Sequence, residues 1–227
     1  MKTSAIYSKL FTGIALVIIT FFSSCKKNDI DDTGQFRLKV VNASPTAGPQ
    51  TFTLAGKVLI SNALDYNQAS EYITSPSGTR LVGEFKNQGT NSVFADGEIW
   101  TGNNIIQTVY LAGQGSKARV KVFTDNLDAP NNGQVKIKFI DFSDNGPSLI
   151  KIRNGVGNEL VNALPRNEAS DYTNIPAGDF TVQISTVTGD NNLVRFVLPN
   201  LQAGRIYTIY FTDAADGSMV INTVLHN

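Results

Sequence analysis

Residues 62–78, NALDYNQASEYITSPSG, recur one hundred positions later as NALPRNEASDYTNIPAG, with nine of seventeen residues identical. The same offset aligns Ile106, Thr108 and Tyr110 with Ile206, Thr208 and Tyr210, and an offset one shorter aligns Phe36, Leu38 and Val40 with Val135, Ile137 and Phe139. A register held across three separated segments marks a duplicated structural unit. The chain is therefore expected to fold as two copies of one module, residues 35–125 and 134–227, joined by a linker at 126–133. Length alone, 227 residues, allows one domain or two.

Within each copy apolar residues alternate with polar ones. Phe36, Leu38 and Val40 point one way and Arg37 and Lys39 the other; Val135, Ile137 and Phe139 repeat this against Lys136 and Lys138. That period of two predicts strands half buried in a sheet, with the cationic side chains on the wet face. Further strands are expected at 50–54, 56–60, 81–85, 105–111 and 119–124, and at 149–153, 180–186, 193–198, 205–212 and 219–225. No stretch carries a 3.6-residue apolar stripe. About seven short strands per copy, punctuated by Gly, Pro, Asn and Asp, predict an all-β chain of two tandem immunoglobulin-like or related β-sandwich modules. A closed barrel stays open as an alternative. The linker is rich in Asp, Asn, Pro and Gly, so the halves are expected to be separate folding units.

The N-terminus reads as an address. Lys2 and Lys9 flank the start of an apolar run, Leu10–Phe22, which ends at Ser23-Ser24-Cys25, the only cysteine. This pattern predicts a bacterial lipoprotein signal peptide, residues 1–24, cleaved before a Cys25 that carries the fatty acid, palmitate included. The run is too short for a helix across a hydrocarbon core of ~30 Å. The polar residues 25–34 are expected to form a flexible tether. Their acidic cluster is similar to the tags that send some Gram-negative lipoproteins to the outer membrane, so the expected location is that membrane, on its periplasmic face or at the cell surface. A solvated spacer explains the same residues. Loss of Lys2 and Lys9 turns 19 bases against 19 acids into 17 against 19, a mature charge of −2. Nothing in that balance favours nucleic acid. With Cys25 acylated, no thiol remains for a disulfide or thiolate-bound zinc.

The segments LKVVNASP (38–45), YTNIPAG (172–178) and LQAGRIYT (201–208) resemble a bacterial secreted-protein family, domain of unknown function 4397, in two tandem copies. The resemblance implies an envelope lipoprotein of β-fold and brings no catalytic residues with it.

Chemistry-bearing residues are few. The one histidine, His226, sits a residue from the C-terminus, where chains fray, which leaves a Ser-His-Asp site without a base. Glu71 beside Tyr72 and Asp171 beside Tyr172 offer carboxylates of the kind glycosidases use. Their duplication favours a structural role, each tyrosine burying its ring and bonding through its hydroxyl. The acidic turns at Asp125–Asp128, at Asp141, Asp144 and Asn145, and at Asp213 and Asp216 lack an EF-hand pattern and read as self-capping turns rather than calcium sites. No metal or cofactor is expected. Trp100 has no counterpart in the second copy; burial in a core or at an edge is the expectation, and stacking on a sugar the alternative. The stretch 83–102 around it is expected to be a variable loop and a candidate binding surface. The chain thus reads as a lipid-anchored, non-catalytic binding, adhesion or assembly component with an envelope protein or glycan as partner. The alternatives are an envelope glycan hydrolase using carboxylates such as Asp141 or Glu168, and a structural spacer.

Overall fold

The computed structural model describes residues 28–188 and 192–227; residues 1–24, read above as a signal peptide, and Cys25 lie outside the described residues. The first copy contributes β1 (Asp29–Asn42), β2 (Gln50–Leu54), β3 (Lys57–Leu64), a two-residue β4 (Gln68–Ala69), β5 (Ile73–Thr79), β6 (Leu81–Asn87), β7 (Val93–Ile99), β8 (Ile106–Ala112) and β9 (Arg119–Thr124). The second contributes β10 (Gln134–Asp141), β11 (Leu149–Asn154), β12 (Glu159–Pro165), β13 (Thr173–Pro176), β14 (Gly178–Thr186), β15 (Asn192–Leu201), β16 (Ile206–Asp213) and β17 (Met219–Leu225).

Each copy is a sandwich. In the first, β5, β1, β8 and β9 form one sheet, with β4 also on β1, and β3, β2, β6 and β7 form the other. In the second, β13-β10-β16-β17 faces β12-β11-β14-β15 in the same order. β1 runs parallel to β8 and β10 to β16, while the other pairings are antiparallel. This order differs from the three-against-four arrangement of a constant immunoglobulin domain, so the sandwich is of the related kind. The alternating residues supply the cores: Phe36, Leu38, Phe52, Phe85, Val109 and Leu111 in the first, and Val135, Ile137, Phe139, Ile152, Ile184 and Phe211 in the second.

The opposite face of β1 and β10 is wet only at Arg37, which is exposed as expected. Lys39 and Lys138 are 5% and 2% exposed because this face packs against the other copy, and Lys136 is 7% exposed because the linker covers it, its Nζ donating to Asn126 Oδ1 and Asp128 O. Between the two cores lies a third apolar cluster: Val41, Ala43, Tyr110, Ala112, Ile140, Phe142, Tyr210 and Val224. The ring centroids of Tyr110 and Tyr210 are 5.9 Å apart, and those of Tyr110 and Phe142 5.3 Å. The two sandwiches therefore share a buried seam in addition to their own cores.

The repeated N-x-A-S signature is a clip. Asn67 and Asn167 adopt left-handed backbone, φ 63° and 66°, which asparagine tolerates better than most residues. Ser70 then donates its N–H to Val40 O and accepts from Val40 N through its hydroxyl, at 2.8 and 2.9 Å, and Ser170 does the same to Phe139 at 2.8 and 2.9 Å. The strongest sequence identity in the repeat thus locks a crossing strand to β1 and to β10.

Two expectations change. Residues 29–34 are not a tether: β1 begins at Asp29, and Asp29–Asp31 pair with Ser77–Thr79 of β5, while Asn28 Oδ1 accepts from Val82 N at 2.8 Å. The stretch 83–102 is mostly the β6–β7 hairpin rather than a loop. Within it Gly97 sits inside β7 where a Cβ would come within 2.8 Å of Val120 Cβ; β7 approaches β9 too closely for a side chain.

The seam predicts an asymmetry between equivalent tyrosines. Tyr210 donates to Asn67 Oδ1 at 2.7 Å, whereas the Tyr110 hydroxyl is buried with no partner in hydrogen-bonding geometry. Tyr210→Phe should cost about 1–2 kcal/mol in urea unfolding, and Tyr110→Phe close to nothing.

Candidate functional site

The densest set of titratable side chains lies in the seam, built from pairs that the duplication supplies. Lys39 of β1 reaches Leu225 O at the end of β17, and Lys138 of β10 reaches Thr124 O at the end of β9, both at 3.0 Å. Each lysine also lies 4.9 Å from a tyrosine ring of its own copy, Lys39 over Tyr72 and Lys138 over Tyr172. Thr108 and Thr208 occupy equivalent places on β8 and β16. The residues just past the last strands break the symmetry, with Asp125 following β9 and His226 following β17.

Asp125 is the hub. Its Oδ1 accepts from Lys138 Nζ at 2.8 Å, and its Oδ2 accepts from the hydroxyls of Thr108 at 2.5 Å and Tyr72 at 2.9 Å. Tyr172 reaches Oδ1 at 3.5 Å. The Tyr72 oxygen is also 2.6 Å from His226 Nδ1, and Thr208 Oγ1 is 2.8 Å from Nε2. Tyr72 has one proton and gives it to Asp125, so His226 carries its proton on Nδ1 and accepts at Nε2 from Thr208. Burial keeps the imidazole neutral: it pushes the His226 pKa down to about 4, against the opposing pull of Asp125 and with the help of Lys138 and Lys39. Burial likewise lowers Lys138 and raises both tyrosines.

The corrections to the sequence reading follow from this geometry. His226 is not frayed; its side chain, like that of Asp125, has no solvent exposure. Asp125, expected in a self-capping turn, is instead a buried partner of Lys138, and the cap in that turn is Asn126, whose Oδ1 accepts from Asp128 N at 2.9 Å; no group of three or more His, Cys, Asp or Glu among the described residues is arranged to hold a metal. A recess of about 250 Å³ beside the seam is lined by Asp125, Asn126, Lys138, Ser170, Asp171 and Tyr172 among others, although the Asp125 and His226 side chains have no solvent exposure. The Asp–Tyr–His constellation bonds one sandwich to the other. Glu71 and Asp171 lie outside the Asp125 cluster: their carbonyls accept from Ser70 and Ser170 at 2.7 and 2.8 Å, and the Glu71 charge opposes the effect of burial on Lys39.

Of the remaining acidic turns only Asp216 caps its own; Asp213 caps the distant turn at 143–145, and Asp144 pairs with Arg119 at 3.0 Å. Asp213 accepts from Ser143 Oγ, Asp144 N and Asn145 N at 2.5, 2.6 and 3.1 Å, and Asp216 from Ser218 N at 2.9 Å. Asp141 is fully buried and Glu168 is exposed. The position of Asp141 in the first copy is Asn42, whose Oδ1 accepts from Ser44 N at 3.2 Å while its amide donates to Leu64 O at 3.0 Å. Asp141 Oδ1 keeps the first bond, to Ser143 N at 2.9 Å, but Oδ2 has no partner.

Trp100, expected at a core or edge, is 58% exposed. Its neighbour Thr101 donates N–H to Gly78 O, and Gly78 pairs on β1 with Ile30, itself 44% exposed. Trp100 therefore marks the end of the first sandwich at which the described chain begins. Nothing in the sequence signalled the seam cluster except the duplication of Tyr72 and Tyr172.

Two outcomes test these assignments. Asp125→Ala leaves Lys138 buried without its counter-charge and should cost about 3–5 kcal/mol, with a smaller loss for the Asp125→Leu/Lys138→Met double variant, measured by urea unfolding. Asp141 has its pKa pushed up to about 6, first by burial and then by Asp213 and Asp144, against the N–H of Ser143 and the charge of Arg166. The folded protein thus holds this proton more tightly than the unfolded chain. The site's contribution is full below about pH 4 and is lost as pH rises through about 6. Asp141→Asn should melt higher than wild type at pH 8, by on the order of 2 kcal/mol, and the gap should close by pH 4.

A comparison with curated protein sequences finds no match. Among solved structures the chain is similar to the Bacillus anthracis TIE protein, at 14% identity and a TM-score of 0.24, covering 78% of this chain and 34% of that one, so that it spans about a third of that protein's length. It is also similar to a "putative cell adhesion protein" from Bacteroides eggerthii DSM 20697, at 10% identity and a TM-score of 0.21, covering 88% of this chain and 98% of that one. The family profile described as "Domain of unknown function (DUF4397)" matches residues 36–150, half of the chain, from the core strand β1 through the seam and into β11. By that match the chain belongs to the DUF4397 family.

Proposed function

We propose that this protein is a lipid-anchored component of the bacterial outer membrane, held through Cys25, that binds, adheres or assembles without turnover. The observation that carries the reading is how the titratable side chains are used. The concentrated set is engaged in bonding one sandwich to the other, with Asp125, His226 and Lys138 buried and Tyr72 and Tyr172 half-buried. What the molecule presents outward is sheet edges, hairpin tips and sandwich ends, surfaces suited to contact.

The docking of residues 28–31 on β5 sharpens the anchor's geometry. Only Lys26 and Lys27 stand between Cys25 and Asn28, so at ~3.3–3.6 Å per residue the acylated cysteine lies within about 11 Å of the first sandwich. Trp100 and Ile30 are exposed at that same end. Tryptophan favours the headgroup level, where its ring is half wet. This end rests on the lipid surface and the second sandwich projects beyond it.

Two readouts test the proposal. Cys25→Ala should abolish fatty-acid labelling and detergent-phase partitioning. Trp100 is the only tryptophan, so its emission reports the anchored end directly: it should shift to the blue when the lipidated protein is reconstituted in vesicles, and stay red-shifted for Cys25→Ala in buffer. A wild-type protein that is water-soluble and unlabelled would contradict the anchor.

A further inference from the structure

Each sandwich has a groove at the same end, beside Pro76 in the first copy and Pro176 in the second. In the first copy Leu54, Ala55, Pro76 and Leu81 line it together with Ile30, and about 70 Å³ remains. Asn154, Gly155 and Pro176, equivalent to Leu54, Ala55 and Pro76, line a groove of about 390 Å³ in the second copy, where Thr181, Asp179 and Arg195 add a more polar wall. One cause of the difference in volume is a strand segment. Asp29, Ile30 and Asp31 of β1 pair with Thr79, Gly78 and Ser77, placing Ile30 in the first groove. In the second copy β10 starts at Gln134, opposite Pro176, and among the described residues no strand continues along Ala177–Asp179 on that side. The linker turns away at this point, with Asn131 N bonded to Asn174 Oδ1 at 3.3 Å. On its other side the segment is paired, Gly178 to Leu201 of β15.

The geometry points to this second groove as a docking site for an extended segment of a partner protein, which adds as a short strand beside Ala177–Asp179 and seats an aliphatic side chain between the β11–β12 hairpin and Pro176. The first groove supplies the template for the occupant: an aliphatic residue flanked by acidic ones, as in Asp29-Ile30-Asp31. Arg195, exposed on the groove wall, complements such acids on one side, and Asp179, which also lines the groove, places them on that side rather than its own. At the hairpin tip Val156, 85% exposed, offers apolar surface with no cover. Main-chain pairing supplies affinity and the side-chain seat supplies selectivity in this mode of recognition. A second copy of this chain is the less suitable donor, because its own segment already fills its own first groove, where tethering gives it a high effective concentration. The inference rests on the binding reading proposed above and adds the site and the partner's chemistry; it is independent of the lipid anchor.

The test uses the full mature chain and a fluorescein-labelled peptide of sequence NDIDDTGQ, that of residues 28–35, followed by anisotropy. Saturable binding is expected, weakened at least tenfold by Ala177→Trp, which fills the groove, by Arg195→Glu, which reverses its charge, and by Ser in place of Ile in the peptide. Melting curves establish that both protein variants remain folded, and Trp100→Ala should leave affinity unchanged. Absence of saturable binding up to millimolar peptide, or affinity indifferent to both groove variants, overturns the site while leaving Cys25 labelling, and with it the anchor, untouched. Self-association in sedimentation that Ala177→Trp abolishes would overturn the choice of partner in favour of a second copy.

Discussion

The ion pair between Asp125 and Lys138, 2.8 Å long and shut off from water, is the constraint on which the arrangement of this molecule depends. Two charges removed from solvent cost several kcal/mol each unless their remaining hydrogen-bonding capacity is met. Asp125 meets its share with the hydroxyls of Thr108 and Tyr72, and Lys138 meets its share with Thr124 O. The two bonds of Lys138, to Asp125 and to Thr124 O, lapse together if the sandwiches separate, because Lys138 belongs to one copy and its partners to the other, while Thr108 and Tyr72 hold Asp125 in place from within its own copy. The apolar part of the seam holds the faces together without fixing their angle; the charged part is satisfied in one geometry. Tyr110, Phe142 and Tyr210 therefore supply burial, and Asp125 supplies register.

Duplication followed by divergence accounts for both the symmetry and its breaches. Lys39 and Lys138, Tyr72 and Tyr172, Thr108 and Thr208 perform twin roles on either side of the seam. A strictly symmetric seam would place two acids or two imidazoles at its centre, where like charges repel in a medium that screens them poorly. Asp125 opposite a neutral His226, joined by the Tyr72 hydroxyl, avoids that conflict. The two copies also differ in placing Asn42 in one and Asp141, which has no donor to offer, in the other, and in having one end groove occupied by Ile30 and the other open.

Much of this was legible in the chain. The alternation at Phe36–Val40 and Val135–Phe139 marked the cores, and the strands at 50–54, 119–124 and 219–225 fall where the pattern put them. Periodicity distinguishes two faces of a strand but says nothing of what covers the second, so the lysines of β1 and β10 read as solvated although a neighbouring sandwich or the linker buries them. β5 and β13 were missed because each carries a proline, Pro76 and Pro176, and β7 because Asp96-Gly97 has the look of a turn. His226 looked expendable at a chain end because contacts over more than one hundred residues, to Tyr72 and Asp125, leave no local trace. The repeat gave the one usable hint, since residues kept twice without a chemical reason are kept for a contact.

The central claim is that a buried polar lock makes the two sandwiches one rigid body. Spin labels attached at Val58→Cys and Val197→Cys, positions 58% exposed in each copy, in a chain with Cys25→Ser, report the distance between the modules by double electron–electron resonance. The account predicts a single narrow distance distribution; a broad or multimodal distribution, the mark of two sandwiches swinging on a hinge, would contradict it.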